Sequence, residues 1–387
     1  MTRWENYLRS ATAVLEAYDG SVPLHHFLKS FFKSRPQMGS RDRKLVTQLV
    51  YRYYRLGRWQ LDMPVEDRLL LATFLCETSP EPMLEALRPA FSSHMAASLD
   101  EKLAVAGLTW DAGAVFPFLQ QLSPSVNTAQ FSRSFLQQPR LFLRARPGRK
   151  KALIKQLEQA GVTYATVGTD GIALPNGTKT EAILPEKGWY EIQDLSSQET
   201  GQRFHPKAKE YWWDCCAASG GKSILLHDIQ PDLRLLVTDV RASILDNLRK
   251  RFTEAGIRDY ASKVVDLTSP HVGGQLPHTR FNGIILDAPC TGSGTWGRSP
   301  ENLYFFDKAR IAEYAALQKK IAGNVVPFLA PGGTLIYITC SVFREENEDA
   351  AAYIQQECGL RIVESTVVEG YNRYADSMFV TVARKES

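Results

Sequence analysis

The chain has 387 residues, 44% of them hydrophobic and 23% charged, with a formal net charge of +4. That length holds two or three domains, and that balance describes an ordinary globular chain rather than a disordered or fibrous one. No apolar stretch reaches the length of a membrane span, the first residues do not read as a signal peptide, and the six cysteines contain no C-x-x-C pair. No membrane, disulfide framework or metal site is therefore expected, and reduced thiols in the cytoplasm are.

Residues 1–125 read as helical. Leu45, Val46, Leu49, Val50 and Tyr53 form one apolar helix stripe, with Ser40 placed as its N-cap. Leu69, Leu70, Leu71, Phe74 and Leu75 form a second buried helix after Pro64. From Lys29 to Arg58, before and across the first stripe, runs a basic stretch of Lys29, Lys33, Arg35, Arg41, Arg43, Lys44, Arg52, Arg55 and Arg58 against one acid, Asp42, interleaved with Phe31, Phe32, Tyr51, Tyr53, Tyr54 and Trp59. Cations and aromatic rings on one surface suit a phosphate backbone and stacked bases. The same pattern also fits a solvated helix face above ordinary core aromatics.

The Ser/Pro/Asn-rich loop at 122–127 marks a boundary, and residues 126–187 read as a small α/β module. Its strand at 140–146 places Arg140, Arg144 and Arg146 on one face, where they could hold RNA. A basic helix over 150–160 follows, with short strands expected around 163–167 and 182–184.

From residue 188 to 387, strands and helices alternate as in a doubly wound sheet. Strands are expected at 211–213, 233–238, 263–266, 283–286 and 334–338, and helices at 242–255 and 308–329. Asp239 and Asp266 end two of these strands, and Asp287 follows a third. One aspartate after a strand is commonly a helix cap; three at successive strand ends point to a ligand, because open α/β sheets bind at the carboxyl ends of their strands. Cys290 and Cys340 each follow a buried apolar run. The loop Asp214 to Ser223 ends in Gly221-Lys222-Ser223 like a phosphate-binding loop, but the first glycine such a loop needs is replaced by Cys216.

Three segments in order resemble one family, the Sun-type, RsmB-like RNA cytosine-C5 methyltransferases that use S-adenosylmethionine. They are Asp214-Cys215-Cys216-Ala217-Ala218-Ser219-Gly220-Gly221-Lys222, Asp287-Ala288-Pro289-Cys290-Thr291-Gly292-Ser293-Gly294 and Thr339-Cys340-Ser341. Gly297-Arg298-Ser299-Pro300-Glu301 and the run from Ile192 to Gln198 resemble flanking family segments. One departure is Ser219, where the family has proline, and it is expected to loosen the loop slightly.

The resemblance implies an α/β fold with a Rossmann-like methyltransferase domain over 188–387. An RNA-recognition-like module over 126–187 and a NusB-like all-helical RNA-binding domain over 1–125 precede it. It implies S-adenosylmethionine bound by Cys216, Ala217, Ala218, Ser219, Gly220, Gly221 and Lys222, by Asp239 at the ribose, Asp266 at the adenine and Asp287 near the methyl group. Cys340 is expected to attack cytosine C6 and Cys290 to assist product release, although the Pro-Cys thiol attacks in DNA cytosine methyltransferases. Asp287 is assigned to ring nitrogen N3, and Lys222 or Arg298 to favouring the thiolate. Cys76, Cys215 and Cys358 are read as structural. The partner implied is RNA, ribosomal first and transfer RNA as the alternative, with no DNA and a monomeric protein. A non-catalytic RNA-binding assembly factor is the competing class.

Overall fold

A computed structural model describes residues 2–276 and 280–387. They fall into two compact units, one of 1–120, 127–138 and 296–307, the other of 121–126, 139–295 and 308–387. This division does not follow the spans 1–125, 126–187 and 188–387. The Gly297–Glu301 run groups with the helices, and the small module groups with the large sheet. No described helix is long and apolar enough to cross a membrane.

The first unit is helical, with its longer helices at Arg3–Ala17, Leu24–Lys33, Ser40–Arg55 and Val65–Cys76. Ser40 is the first residue of its helix rather than the cap. Gly39 occupies the cap, and the Asp42 carboxylate accepts its N–H at 3.2 Å. Two of the nine cations of the basic stretch, Arg52 and Arg55, are buried. Arg52 pairs with Glu77 and Glu81, and buried Arg55 donates to the carbonyls of Phe135 and Gln137. Phe31, Phe32, Tyr54 and Trp59 are core. Only Lys29, Lys33, Arg41, Lys44 and Arg58 of the cations stand exposed.

The second unit contains two sheets. The small one has order β2-β3-β1-β4, all antiparallel, from β1 (Leu141–Ala145), β2 (Ala165–Val167), β3 (Gly171–Leu174) and β4 (Tyr190–Ile192). The strand expected at 182–184 is instead the end of a short helix, Thr180–Ile183. Along β1, Leu143 and Ala145 enter the module's own core with Leu153, Leu157 and Ile172. The alternate residues face the other way: Phe142 packs on Leu195 and Ala375. Arg144 donates to Asp228 at 2.6 Å, as does Arg146, with all three side chains largely buried. The shared face of the arginines is thus real, but it clamps an acid of the neighbouring helix Gly221–Ile229. Arg140 lies over the Tyr374 ring.

The large sheet has order β10-β11-β9-β8-β5-β6-β7. Its strands are β5 (Tyr211–Asp214), β6 (Arg234–Asp239), β7 (Ala261–Val264), β8 (Phe281–Asp287), β9 (Leu329–Thr339), β10 (Arg361–Val368) and β11 (Met378–Arg384). The run from β7 through β6, β5 and β8 to β9 is parallel, and β11 is antiparallel to both its neighbours. Every residue from Leu235 to Asp239 and from Leu335 to Thr339 is buried, as expected for strands covered on both faces. On one face Trp212, Leu235, Val237, Ile285, Ile336, Ile338 and Val380 pack against Leu226, Leu245, Leu248 and Phe252 of two helices. The chain runs outward from β5 to β7 in one direction and from β8 to β9 in the other. That makes the β5/β8 boundary a topological switch point, the place where open α/β sheets bind ligands.

Candidate active site

A cavity of about 560 Å3 opens at the carboxyl ends of the parallel strands. It is within the range of roughly 300–1,000 Å3 typical of small-molecule sites. Cys216 and Ala218 after β5, Asp239 at the end of β6, Asp266 after β7, Asp287 at the end of β8, Cys290 after it, and Cys340 after β9 all line it. The structure thus brings together both thiols and all three aspartates singled out in the sequence.

The loop after β5 turns sharply into a helix. Ala218 has φ 45° and Gly220 φ 89°, both left-handed, and a Cβ on Gly220 would stand 2.7 Å from the Phe252 ring. Only glycine fits there. Of the seven loop residues, Cys216 and Ala218 reach the cavity, whereas Ala217, Ser219, Gly220, Gly221 and Lys222 do not line it. Ser219 is tied to the neighbouring helix: Arg251 donates to its carbonyl at 2.8 Å and its hydroxyl at 2.6 Å, and also pairs with Glu191. Lys222 touches neither sulfur. Its ammonium is held by Asp287 Oδ2 at 3.0 Å and Ser197 Oγ at 2.8 Å. Asp287 is therefore an ion-paired acceptor, and Arg298 belongs to the helical unit.

Asp239 accepts from the Ala218 N–H at 3.1 Å and from the Arg241 N–H and guanidinium at 3.0 Å. Asp266 sits two residues beyond β7, where hydrogen bonds from the Thr268 hydroxyl and N–H hold its carboxyl below the usual range. Below the loop, burial pushes the carboxyl of Asp214 up to about 7 despite the 2.6 Å hydrogen bond from Ser223. Cys215 is buried, and its S–H donates to the Ile285 carbonyl at 3.2 Å. It also contributes to the lining of the cavity.

The two thiols stand at one end of the cavity with their sulfurs 3.1 Å apart and not bonded. Their loops are stitched together: Ala288 N–H donates to Ile338 O at 2.8 Å and Gly294 N–H to Cys340 O at 2.9 Å. A Cβ on Gly294 would meet Ser377 O at 2.1 Å, so this approach requires glycine. The hydrogen bond with Cys340, together with burial and the nearby Glu346 charge, holds the Cys290 thiol well above its usual range. Either sulfur can be the donor across this contact.

Sequence reading missed the opposite wall, formed by Tyr314, Leu317 and Ile321 of the helix Ala309–Val325. Their i, i+3, i+7 spacing was a visible helical signal, but not one that marks a site rather than core. Glu346, which binds both cysteine loops, was also missed.

The comparisons agree with this geometry. Residues 202–378 match the family described as 16S rRNA methyltransferase RsmB/F. Ribosomal RNA small subunit methyltransferase B of Erwinia tasmaniensis is 34% identical over 185 residues, covering 46% of this chain and 42% of that protein. Its namesake in Enterobacter sp. (strain 638) is 33% identical over 211 residues, covering 53% and 47%. The chain thus spans less than half the length of these curated relatives. In fold it resembles PH0851, with TM-score 0.70, 17% identity and coverage of 100% of this chain and 99% of that one. It also resembles NSun6 from Pyrococcus horikoshii, solved with SFG, at TM-score 0.61 and 15% identity over 70% of this chain and 97% of that one. The segment that matches this family, residues 202–378, holds the cavity, both thiols and the three aspartates.

Proposed function

We propose that this protein transfers a methyl group from S-adenosylmethionine to carbon 5 of a cytosine in RNA, with ribosomal RNA as the substrate class its relatives' names suggest. The observation that carries this reading is the pair of thiols 3.1 Å apart at the end of a cavity whose other strand ends bear Asp239, Asp266 and Asp287. The residues suit the cofactor. Asp239 and Asp266 are acceptors for ribose and adenine, Val240, Val265 and Leu267 supply apolar wall, and the loop at Cys216 and Ala218 brings backbone close. When bound, the cofactor supplies an electrophilic methyl group on sulfur.

Cytosine C5 is a weak nucleophile, and a thiolate added to C6 corrects that. The Cys340 sulfur forms the C6–S bond, and the C5=C6 electron pair becomes available at C5 to take the methyl group as the methyl–sulfonium bond breaks. A base, water or a side chain, then takes the C5 proton, the C5–H electron pair restores C5=C6, and the C6–S bond breaks so that Cys340 departs as thiolate. Cys290, whose sulfur lies 3.1 Å from that departing sulfur, is the group proposed to assist release. Asp287, held as an acceptor by Lys222, suits the exocyclic amino group of cytosine. A base reaches this cavity only when unstacked, which favours a loop or opened helix.

Covalent trapping tests the reading. Cys290→Ala expressed in cells and isolated under denaturing conditions should carry attached RNA, and Cys340→Ala added to it should abolish the adduct. Sequencing the attached RNA separates ribosomal from transfer RNA. An adduct with Cys340→Ala alone would reverse the two thiol roles, and none with either would favour a non-catalytic RNA-binding factor.

A further inference from the structure

Behind the two thiols lies a carboxylate that the chemistry above does not use. Glu346 is fully buried in the loop after β9. It accepts the Thr291 N–H at 2.9 Å and the Thr291 hydroxyl at 2.5 Å. It also accepts the Ser341 hydroxyl at 2.6 Å and the Gln318 amide at 2.9 Å. Thr291 follows Cys290 directly and Ser341 follows Cys340 directly, while Gln318 also donates to the carbonyl of Pro289, just before Cys290, at 3.0 Å. The carboxyl group thus grips both thiol loops at the residues that flank the sulfurs. Its own backbone is anchored as well, because the Tyr337 hydroxyl donates to Glu346 O at 2.6 Å.

We propose that Glu346 is a positioning residue for both thiols, tying the residue after Cys290 to the residue after Cys340 and so holding the two sulfur atoms against each other. Its importance for methyl transfer rests on the function proposed above.

Stability alone does not call for a carboxylate here. Burying one without a cation is costly, and among the described residues its four hydrogen bonds all come from neutral donors. An amide or apolar side chain would fill the space more cheaply. Burial pushes the Glu346 carboxyl upward, and the hydrogen bonds from Ser341, Thr291 and Gln318 oppose that; once ionised it offers an acceptor for four converging donors and a negative charge beside Cys290. The titratable neighbours fit that role. Cys290 is faced by Cys340 and Glu346, and Glu346 by Cys290 and Tyr337. The charge discourages Cys290 from ionising.

Alkylation of the two thiols by iodoacetamide, followed by mass spectrometry across pH, reads this directly and needs neither RNA nor cofactor. In Glu346→Gln the Cys290 profile should move to lower pH, reacting about tenfold faster at neutral pH for one unit of change. The melting temperature and S-adenosylmethionine affinity should stay near those of the parent. Single-turnover methyl transfer should fall about 100-fold, as for a misplaced reacting group, and further in Glu346→Ala. A folded Glu346→Gln protein with parental alkylation profiles or parental transfer overturns the proposal. Should Glu346→Gln not fold, Ser341→Ala, which keeps the carboxylate and removes one donor, should lower transfer about tenfold or more, and parental transfer there overturns it equally. A shifted alkylation profile in a protein whose parent methylates no RNA supports the role of Glu346 and rejects the proposed reaction instead.

Discussion

Asp214 shows how strongly position alters one side chain. It ends β5 as a polar residue in a buried layer. Its Oδ2 accepts from Ser223, whereas Oδ1 is buried without a partner. Burial raises its carboxyl from 3.8 to about 7. The folded protein therefore binds this proton more tightly than the unfolded chain. Its stabilising effect is full below about pH 4 and is lost as pH rises through about 7. Asp214→Asn, which cannot ionise, should flatten the fall in stability between pH 5 and 8, by up to a few kcal/mol. Urea unfolding at several pH values measures this, and parallel curves for the two proteins would mean that Asp214 is charged in the fold. Other single residues were partly legible. Cys290, Cys340, Asp239, Asp266 and Asp287 were identified by their place after apolar runs, but Lys222 was linked to a thiolate and instead holds Asp287. Spacing locates a residue on an element; it does not say which neighbour a long flexible side chain reaches.

At the scale of elements, regular periodicity was the readable part. The parallel strands and the helices Ala242–Glu254 and Ala309–Val325 follow from buried runs and helical stripes. The strands β10 and β11 did not stand out, because β10 is largely exposed and has no continuous apolar run. Close approach within the sheet is equally invisible in sequence. Gly283 in β8 lies under the Trp212 indole, and a Cβ there would stand 2.4 Å from it. Gly283→Ala should therefore destabilise the protein by about 1–3 kcal/mol through overpacking. It should do so without new polar contacts, read as a lower urea midpoint at unchanged slope. An unchanged midpoint would show that Trp212 has room to move.

At the scale of the larger unit, the small sheet and the domain of the large sheet meet through Asp228. Removing this acid leaves Arg144 and Arg146 buried without their counter-charge. Asp228→Ala should cost about 3–5 kcal/mol. Part of the loss should appear in the active site, because Arg144 also donates to Gln193, Gln193 to Ser197, and Ser197 accepts from Lys222. Calorimetry together with cofactor titration checks both effects, and a loss below about 1 kcal/mol would mean that water replaces the acid.

The sequence by itself determined the alternation of strands and helices, the cofactor-type loop, and the identities of the two thiols and three aspartates. Each of these depends on local pattern: apolar period, small residues in a turn, and a reactive group at a strand end. Only the tertiary structure decided that the sulfurs lie 3.1 Å apart. It alone showed that Glu346 joins their loops, and that the arginine face of β1 turns to Asp228 rather than outward. The physical reason is the same in each case. These contacts join residues distant along the chain, and their partners are chosen by the packing of the sheets and helices between them.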